Sequence, residues 1–253
     1  MLRNASRLIG LAVEATDGEV GSVSDLLFDD RQWTVRWAVV DTGGWLADRQ
    51  VLLAPTMLGE PPPPDDERRP FRVALTRWQV ERSPDISSDE PVSRRHEAQL
   101  FEHYGQEPYW AGGDPFSGVG NPHWTAADMP APAAERDEHR TGDPHLRSAK
   151  EISGYLVEAR NGDIGEVEDF LIDPAAAWTI RYLAVDAGRW LPDRRLLIAP
   201  NWLSEIDWQS RTVRIDRCLR EIKEAPAYDA DSAIDRAYED RLHRWFGQPG
   251  YWI

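Results

Sequence analysis

The chain is short of cysteine, of long apolar runs and of positive charge, and each shortage excludes something. Cys218 is the single cysteine in 253 residues, so no disulfide can close within the chain, which fits a reducing compartment. Its setting, "RTVRIDRCLREI", makes it a small packing residue rather than a nucleophile. No apolar run approaches the roughly 18 residues that a membrane-spanning helix needs. The opening "MLRNASRLIGLAVEATDGEV" reaches an acidic residue and a turn before any long apolar stretch, unlike a secretory signal peptide. A cytoplasmic location is therefore expected. Lys and Arg total 29 against 44 Asp and Glu, a formal charge of −15 at pH 7. Such a field repels phosphate backbones and anionic headgroups, so membranes and nucleic acid are disfavoured as partners.

Signatures of catalysis and metal binding are missing too. There is no GxSxG elbow, and the lone cysteine has no partner histidine pattern. The six histidines, His96, His103, His123, His139, His145 and His243, show no ligand spacing. Asp25 with Asp29, or Asp41 with Asp48, offer paired carboxylates, but acid–base chemistry also needs a cleft and shifted pKa values. The expectation is a non-catalytic protein with no catalytic, cofactor-binding or metal-binding residues.

What the chain has in quantity is apolar and aromatic material, with 41% hydrophobic residues and 12 Trp, enough for two modest cores. It is also written twice. "DGEVGSVSDLLFD" at residues 17–29 returns as "NGDIGEVEDFLID" at 161–173, and the match runs on through "WTVRWAVVD" and "WTIRYLAVD", "VLLAP" and "LLIAP", and finally "LFEHYGQEPYW" and "LHRWFGQPGYW". The first domain is expected at 1–110 and the second at 148–253, joined by a Gly/Pro/Ala-rich linker at 111–147. Treated as a random coil, the linker spans roughly 33 Å, against about 26 Å between the centres of two touching domains, so docking of the copies is permitted but not forced.

Asp17-Gly18 and Asn161-Gly162 are two-residue hairpin signals, both central positions being expected at positive φ. An EF-hand loop would need oxygens at alternate positions and a Glu at its end, which neither copy supplies. Gly18 and Gly162 are read as structural turn residues, and Gly21 and Gly165, inside a strand, as a bulge or tight bend. Asp25, Asp29, Asp169 and Asp173 are expected to satisfy backbone donors at the strand end and turn. Short strands with regular turn signals predict a mainly β fold of two small barrels in tandem. Short α-helices follow each barrel. Thr76 with Gln79, and Asp216, are expected to cap a short helix; Ser93 and Asp235 are expected to cap a longer one that ends at Gly105 or Gly247.

Two surface features are candidates for binding. Trp45-Leu46-Ala47-Asp48-Arg49 and Trp190-Leu191-Pro192-Asp193-Arg194 place an aromatic and an arginine at a turn, the composition of an interface hot spot. Trp45, Asp48, Arg49, Trp190, Asp193 and Arg194 are the candidate partner-binding residues; the competing reading is that each Trp closes its own barrel end. Arg211, Arg214, Arg217 and Arg220, loosely echoed by Arg68, Arg69, Arg72 and Arg77, form either an RNA-facing patch or a set of internal ion pairs.

"DGEVGSVSDLLFDDRQWTVRWAVVD", "VLLAP" and "LTRWQVERSPD", with their second copies, resemble the PRC-barrel family, named for the H subunit of the photosynthetic reaction centre and found also at the C-terminus of a ribosome maturation factor. The resemblance covers both copies and is closest to tandem, stand-alone bacterial members. It implies a small β-barrel used as a docking module, with no catalytic residues. The membrane helix of the reaction-centre subunit and the N-terminal domain of the ribosome factor are both missing here. The expected function is thus protein binding or scaffolding by two such modules, packed as an internal pseudo-dimer or as a homodimer. The alternative is an RNA- or ribosome-associated factor using the Arg-rich strands.

Overall fold

The structure is a computed structural model that describes residues 1–46, 49–63, 66, 69–84, 92, 94–108, 145–188, 194–230 and 234–252. The first copy runs β1 (Arg3–Asn4), α1 (Ala5–Leu8), β2 (Ala12–Ala15), β3 (Gly18–Asp29), β4 (Thr34–Asp41), β5 (Gln50–Leu53), β6 (Phe71–Arg72), α2 (Arg77–Glu81) and α3 (Arg94–Tyr104). The second runs β7 (Leu146–Ser148), α4 (Ala149–Ile152), β8 (Leu156–Ala159), β9 (Gly162–Asp173), β10 (Thr179–Asp186), β11 (Arg195–Ile198), β12 (Leu203–Asp207), β13 (Thr212–Ile215), α5 (Leu219–Glu224) and α6 (Arg236–Trp245).

The repeated motif is a hairpin in both copies, β2 pairing antiparallel with β3 and β8 with β9. Its turn differs from the expected one. Only the glycines take positive φ, +142° at Gly18 and +151° at Gly162, while Asp17 and Asn161 do not. The side chains of Asp17 and Asn161 are used instead to accept from the first backbone N–H of the short helix, Arg77 N at 2.7 Å and Leu219 N at 2.8 Å. A Cβ on Gly21 would lie 1.9 Å from the Asp41 carbonyl oxygen, and one on Gly165 would lie 1.8 Å from that of Asp186. Both glycines sit beside a register shift, so the bend is enforced by close backbone approach.

The fold is mainly β with short helices, but its strands do not form two separate barrels. Among the described residues thirteen strands join in one sheet, with the path β12-β13-β8-β9-β10-β4-β3-β2-β6 passing through both copies. The sheet is a curled half-barrel; in the wall that each copy supplies, the last strand returns to pair parallel with the first hairpin strand, β6 on β2 and β13 on β8. Among the described residues β12 is reduced in the first copy to a single bridge, Leu58 opposite Val73, where Pro61 and Pro62 follow in the corresponding stretch and lack the N–H a ladder needs.

The walls merge because the N-terminal segments are exchanged. β1 pairs with β9 of the other copy, Arg3 opposite Ile172 and Asn4 opposite Leu171. β7 pairs with β3 in the same register, Arg147 opposite Phe28 and Ser148 opposite Leu27. At the centre Thr34 faces its own equivalent Thr179, the arrangement of a two-fold axis. Trp33 and Trp178, at φ of 53° and 58°, present carbonyls across the axis to Ile180 N at 2.7 Å and Val35 N at 3.1 Å. Phe28 and Phe170 meet there with centroids 5.6 Å apart, and the buried apolar residues form one cluster through both copies. Leu146 and Arg147, read from composition as linker, are therefore strand residues; the Gly/Pro-rich run before them masks a segment too short to show periodicity.

Candidate docking surfaces

Each copy anchors the arm of the other through one mid-strand aspartate. Asp169 is buried and accepts from Asn4 Nδ2 (2.9 Å), Ser6 N (3.0 Å) and Ser6 Oγ (2.6 Å). Its counterpart Asp25 accepts from Ser148 Oγ (2.5 Å) and Lys150 N (3.3 Å). These two residues were expected to serve local turns; each does bond its own next N–H, yet the larger role is across the axis. Asp29, by contrast, serves its turn as expected, accepting from Arg31 N and Gln32 N, both at 2.9 Å. An aspartate directly before two apolar strand residues at the same place in both copies, "SDLL" and "EDFL", is the sequence signal for the anchor.

The aromatic turn of the first copy begins with Asp41, whose carboxylate accepts from Gly43 N at 2.9 Å, and continues as a 3-10 turn over Gly43–Leu46. Trp45 is half-buried, its indole N–H donating to the Val20 carbonyl and its ring covered by the Arg77 guanidinium at 4.2 Å. Arg49 donates to the Glu81 carbonyl (2.8 Å) and to that of Ser83, and Arg194 donates likewise to the Ala225 carbonyl. Each arginine thus bonds the end of the short helix in its own copy. Asp48, Trp190 and Asp193 lie outside the described residues.

Sequence reasoning missed the aromatic side chains that stand out most. Trp78 on α2 is 60% exposed with Arg82 stacked at 4.9 Å, and Trp245 on α6 is 46% exposed. Trp245 donates to the Glu221 carbonyl at 2.9 Å, just as His103 contacts the Gln79 carbonyl at 2.7 Å. Each copy therefore presents a corner where the short helix meets the terminal one. Half-buried Trp45 and Arg77 with exposed Trp78 and Arg82 give that of the first copy a hot-spot composition. Neither Trp78 nor Trp245 has a tryptophan equivalent in the other copy, where Arg220 and His103 stand, which hid them from a comparison of repeats.

Four of the cationic candidates are engaged internally, and Arg68 lies outside the described residues. Arg214 pairs with Glu158 (3.1 Å) and Glu205 (2.7 Å), Arg220 with Glu224 (2.9 Å) and Arg72 with Glu14 (3.7 Å), while Arg217 donates to the Phe246 carbonyl (2.9 Å). The cap of α5 is Cys218, its N–H bonded to Glu221, rather than Asp216, which pairs with Arg160. Thr76 and Asp235 cap α2 and α6 as expected; Ser93 is outside the described residues.

A glutamate on each terminal helix is buried against the sheet. Glu97 accepts from Trp37 Nε1 at 2.7 Å. Glu239 accepts from Tyr182 (3.1 Å) and Tyr251 (2.6 Å) and pairs with Arg236. Burial, followed by this carboxylate, pushes the Tyr251 phenol up to about 12 and raises Tyr182 further. His243, packed between Tyr182 Oη and the Pro249 carbonyl at 2.8 Å each, is held below the usual imidazole range by burial. A cleft of about 290 Å³ is lined by Leu156, Gly165, Glu166 and Asp186. Among the described residues no group of three or more His, Cys, Asp or Glu is placed to share a metal ion, and no helix is long and apolar enough to cross a membrane.

Residues 2–57, from the first arm through β5, match the family model of the PRC-barrel domain. No curated protein matches the chain. The matched domain type indicates a small docking or scaffold module.

Proposed function

We propose that this protein is a non-catalytic, cytoplasmic scaffold built from two PRC-barrel-like docking modules in tandem, each offering a protein partner the corner where its short helix meets its terminal one, with an exposed Trp on each. The observation that carries the reading is the PRC-barrel match over residues 2–57 in a chain whose second copy repeats the same strand register. Two copies in one chain engage a symmetric partner with gain in avidity. The internal pairing of Arg214, Arg217 and Arg220 supports a protein partner over RNA, because a paired cation contributes less to phosphate binding.

The test is an affinity pull-down of the full chain from native lysate, with and without RNase, read by mass spectrometry beside a Trp78→Ala/Arg82→Ala/Trp245→Ala variant. A stoichiometric protein that survives RNase and is lost from the variant supports the scaffold. Recovery of ribosomal proteins or RNA that RNase abolishes replaces it with an RNA-associated role.

A further inference from the structure

The arms and their sockets carry an inference that is independent of the scaffold reading. Arm 1 (residues 3–8) leaves its own copy at Gly10 and arm 2 (residues 146–152) at Gly154, glycines with φ of +94° and +90° and no atom within 4 Å of where a Cβ would sit. Beyond each glycine the chain rejoins its own copy at once, Gly10 N bonding the Val23 carbonyl and Gly154 N that of Val167, both at 2.7 Å. Each arm is thus a strand of two or three residues and one helical turn on a defined hinge. Withdrawn, arm 1 would leave the buried Asp169 carboxylate without three of its donors and arm 2 would leave Asp25 without two, a cost that makes an empty socket unfavourable.

A filled socket is indifferent to which chain supplies the arm. Ladder pairs, aspartate contacts and the Thr34–Thr179 axis are the same whether copy 1 meets copy 2 of its own chain or of another. We propose that this face also docks a second copy of the chain, copy 1 of each molecule pairing with copy 2 of the other through reciprocal arms. What favours the closed monomer is the covalent connection, which for a tether of this length sets an effective concentration of about 1 mM. By mass action the exchanged dimer then grows with concentration, to on the order of one per ten monomers near 100 µM.

The experiment uses two differently tagged full-length chains, unfolded together and refolded under reducing conditions from about 1 µM to about 300 µM, a range that approaches the effective concentration. A second pair carries Arg3→Cys, Ile172→Cys and Cys218→Ser, placing thiols on Cα partners of the β1–β9 ladder, and is oxidised after refolding. Dimers bearing both tags, rising about tenfold relative to monomer for each tenfold in concentration, and an engineered disulfide that links the two chains of those dimers, are the expected results. Absence of mixed-tag dimer at the highest concentration from the unsubstituted chains overturns the proposal, as do dimers in which the disulfide lies within each chain.

Discussion

Asp169 and His243 show how much rests on single side chains. Asp169 gathers three donors from the foreign arm, whereas Asp25 gathers two, one of them at 3.3 Å. Asp169→Ala is expected to cost about 3 kcal/mol of stability and Asp25→Ala about 1–2 kcal/mol, an order that urea denaturation of the two variants checks. Burial lowers the pKa of His243, so on acidification the unfolded chain takes up a proton at this site before the folded one does. The stability contributed is present above the unfolded pKa of about 6.5 and is lost as pH falls from there through the lower folded pKa. Thermal melts between pH 8 and pH 5, a range that brackets this value, are expected to show a downward slope on acidification that His243→Gln reduces.

At the scale of elements, the bend in each long strand and the seating of each terminal helix are set by few contacts. A methyl group on Gly21 or Gly165 collides with backbone rather than with a mobile side chain. Gly21→Ala and Gly165→Ala are each expected to destabilise by about 1–3 kcal/mol, and the register next to the Asp41 or Asp186 carbonyl should move, visible as amide shift changes confined to that copy. α3 is pinned through Glu97 to Trp37 and α6 through Glu239 to Tyr182. Trp37→Phe keeps the ring but removes the N–H, and its cost is expected at about 1.5–3 kcal/mol in the same denaturation assay, the range for a hydrogen bond to a charged group. The helix pattern was legible from caps and terminal glycines. The buried glutamates were not, since a Glu on an amphipathic helix reads as solvent-facing until the partner strand is known.

For the whole molecule, exchanged arms mean that the copies are interlocked as well as tethered. A protease site placed in 111–144 and cut in the native state is expected to leave two fragments that co-elute at the size of the intact chain and separate only in denaturant. Elution as two smaller particles would mean that the arms contribute little. The shared core and the axis at Thr34 and Thr179 argue for the first outcome, because separation would expose Phe28 and Phe170 together.

The sequence by itself determined the repeat, the hairpins, the β-rich class and the helix ends, because turn glycines, caps and period-two patterns act over a few residues. It also marked Gly21 and Gly165 as special, since a glycine inside a strand signals a close approach. Only the tertiary structure decided that β1 and β7 change places, that the two walls make one sheet, and that Asp25 and Asp169 serve the opposite copy. Those features depend on contacts between residues more than 120 positions apart, and a two- or three-residue strand carries no periodicity by which its partner can be read. The same distance separates local and global in the aromatic turn: its composition was visible, but whether Trp45 and Arg49 face outward depended on Val20, Arg77 and Glu81, which the fold brings beside them.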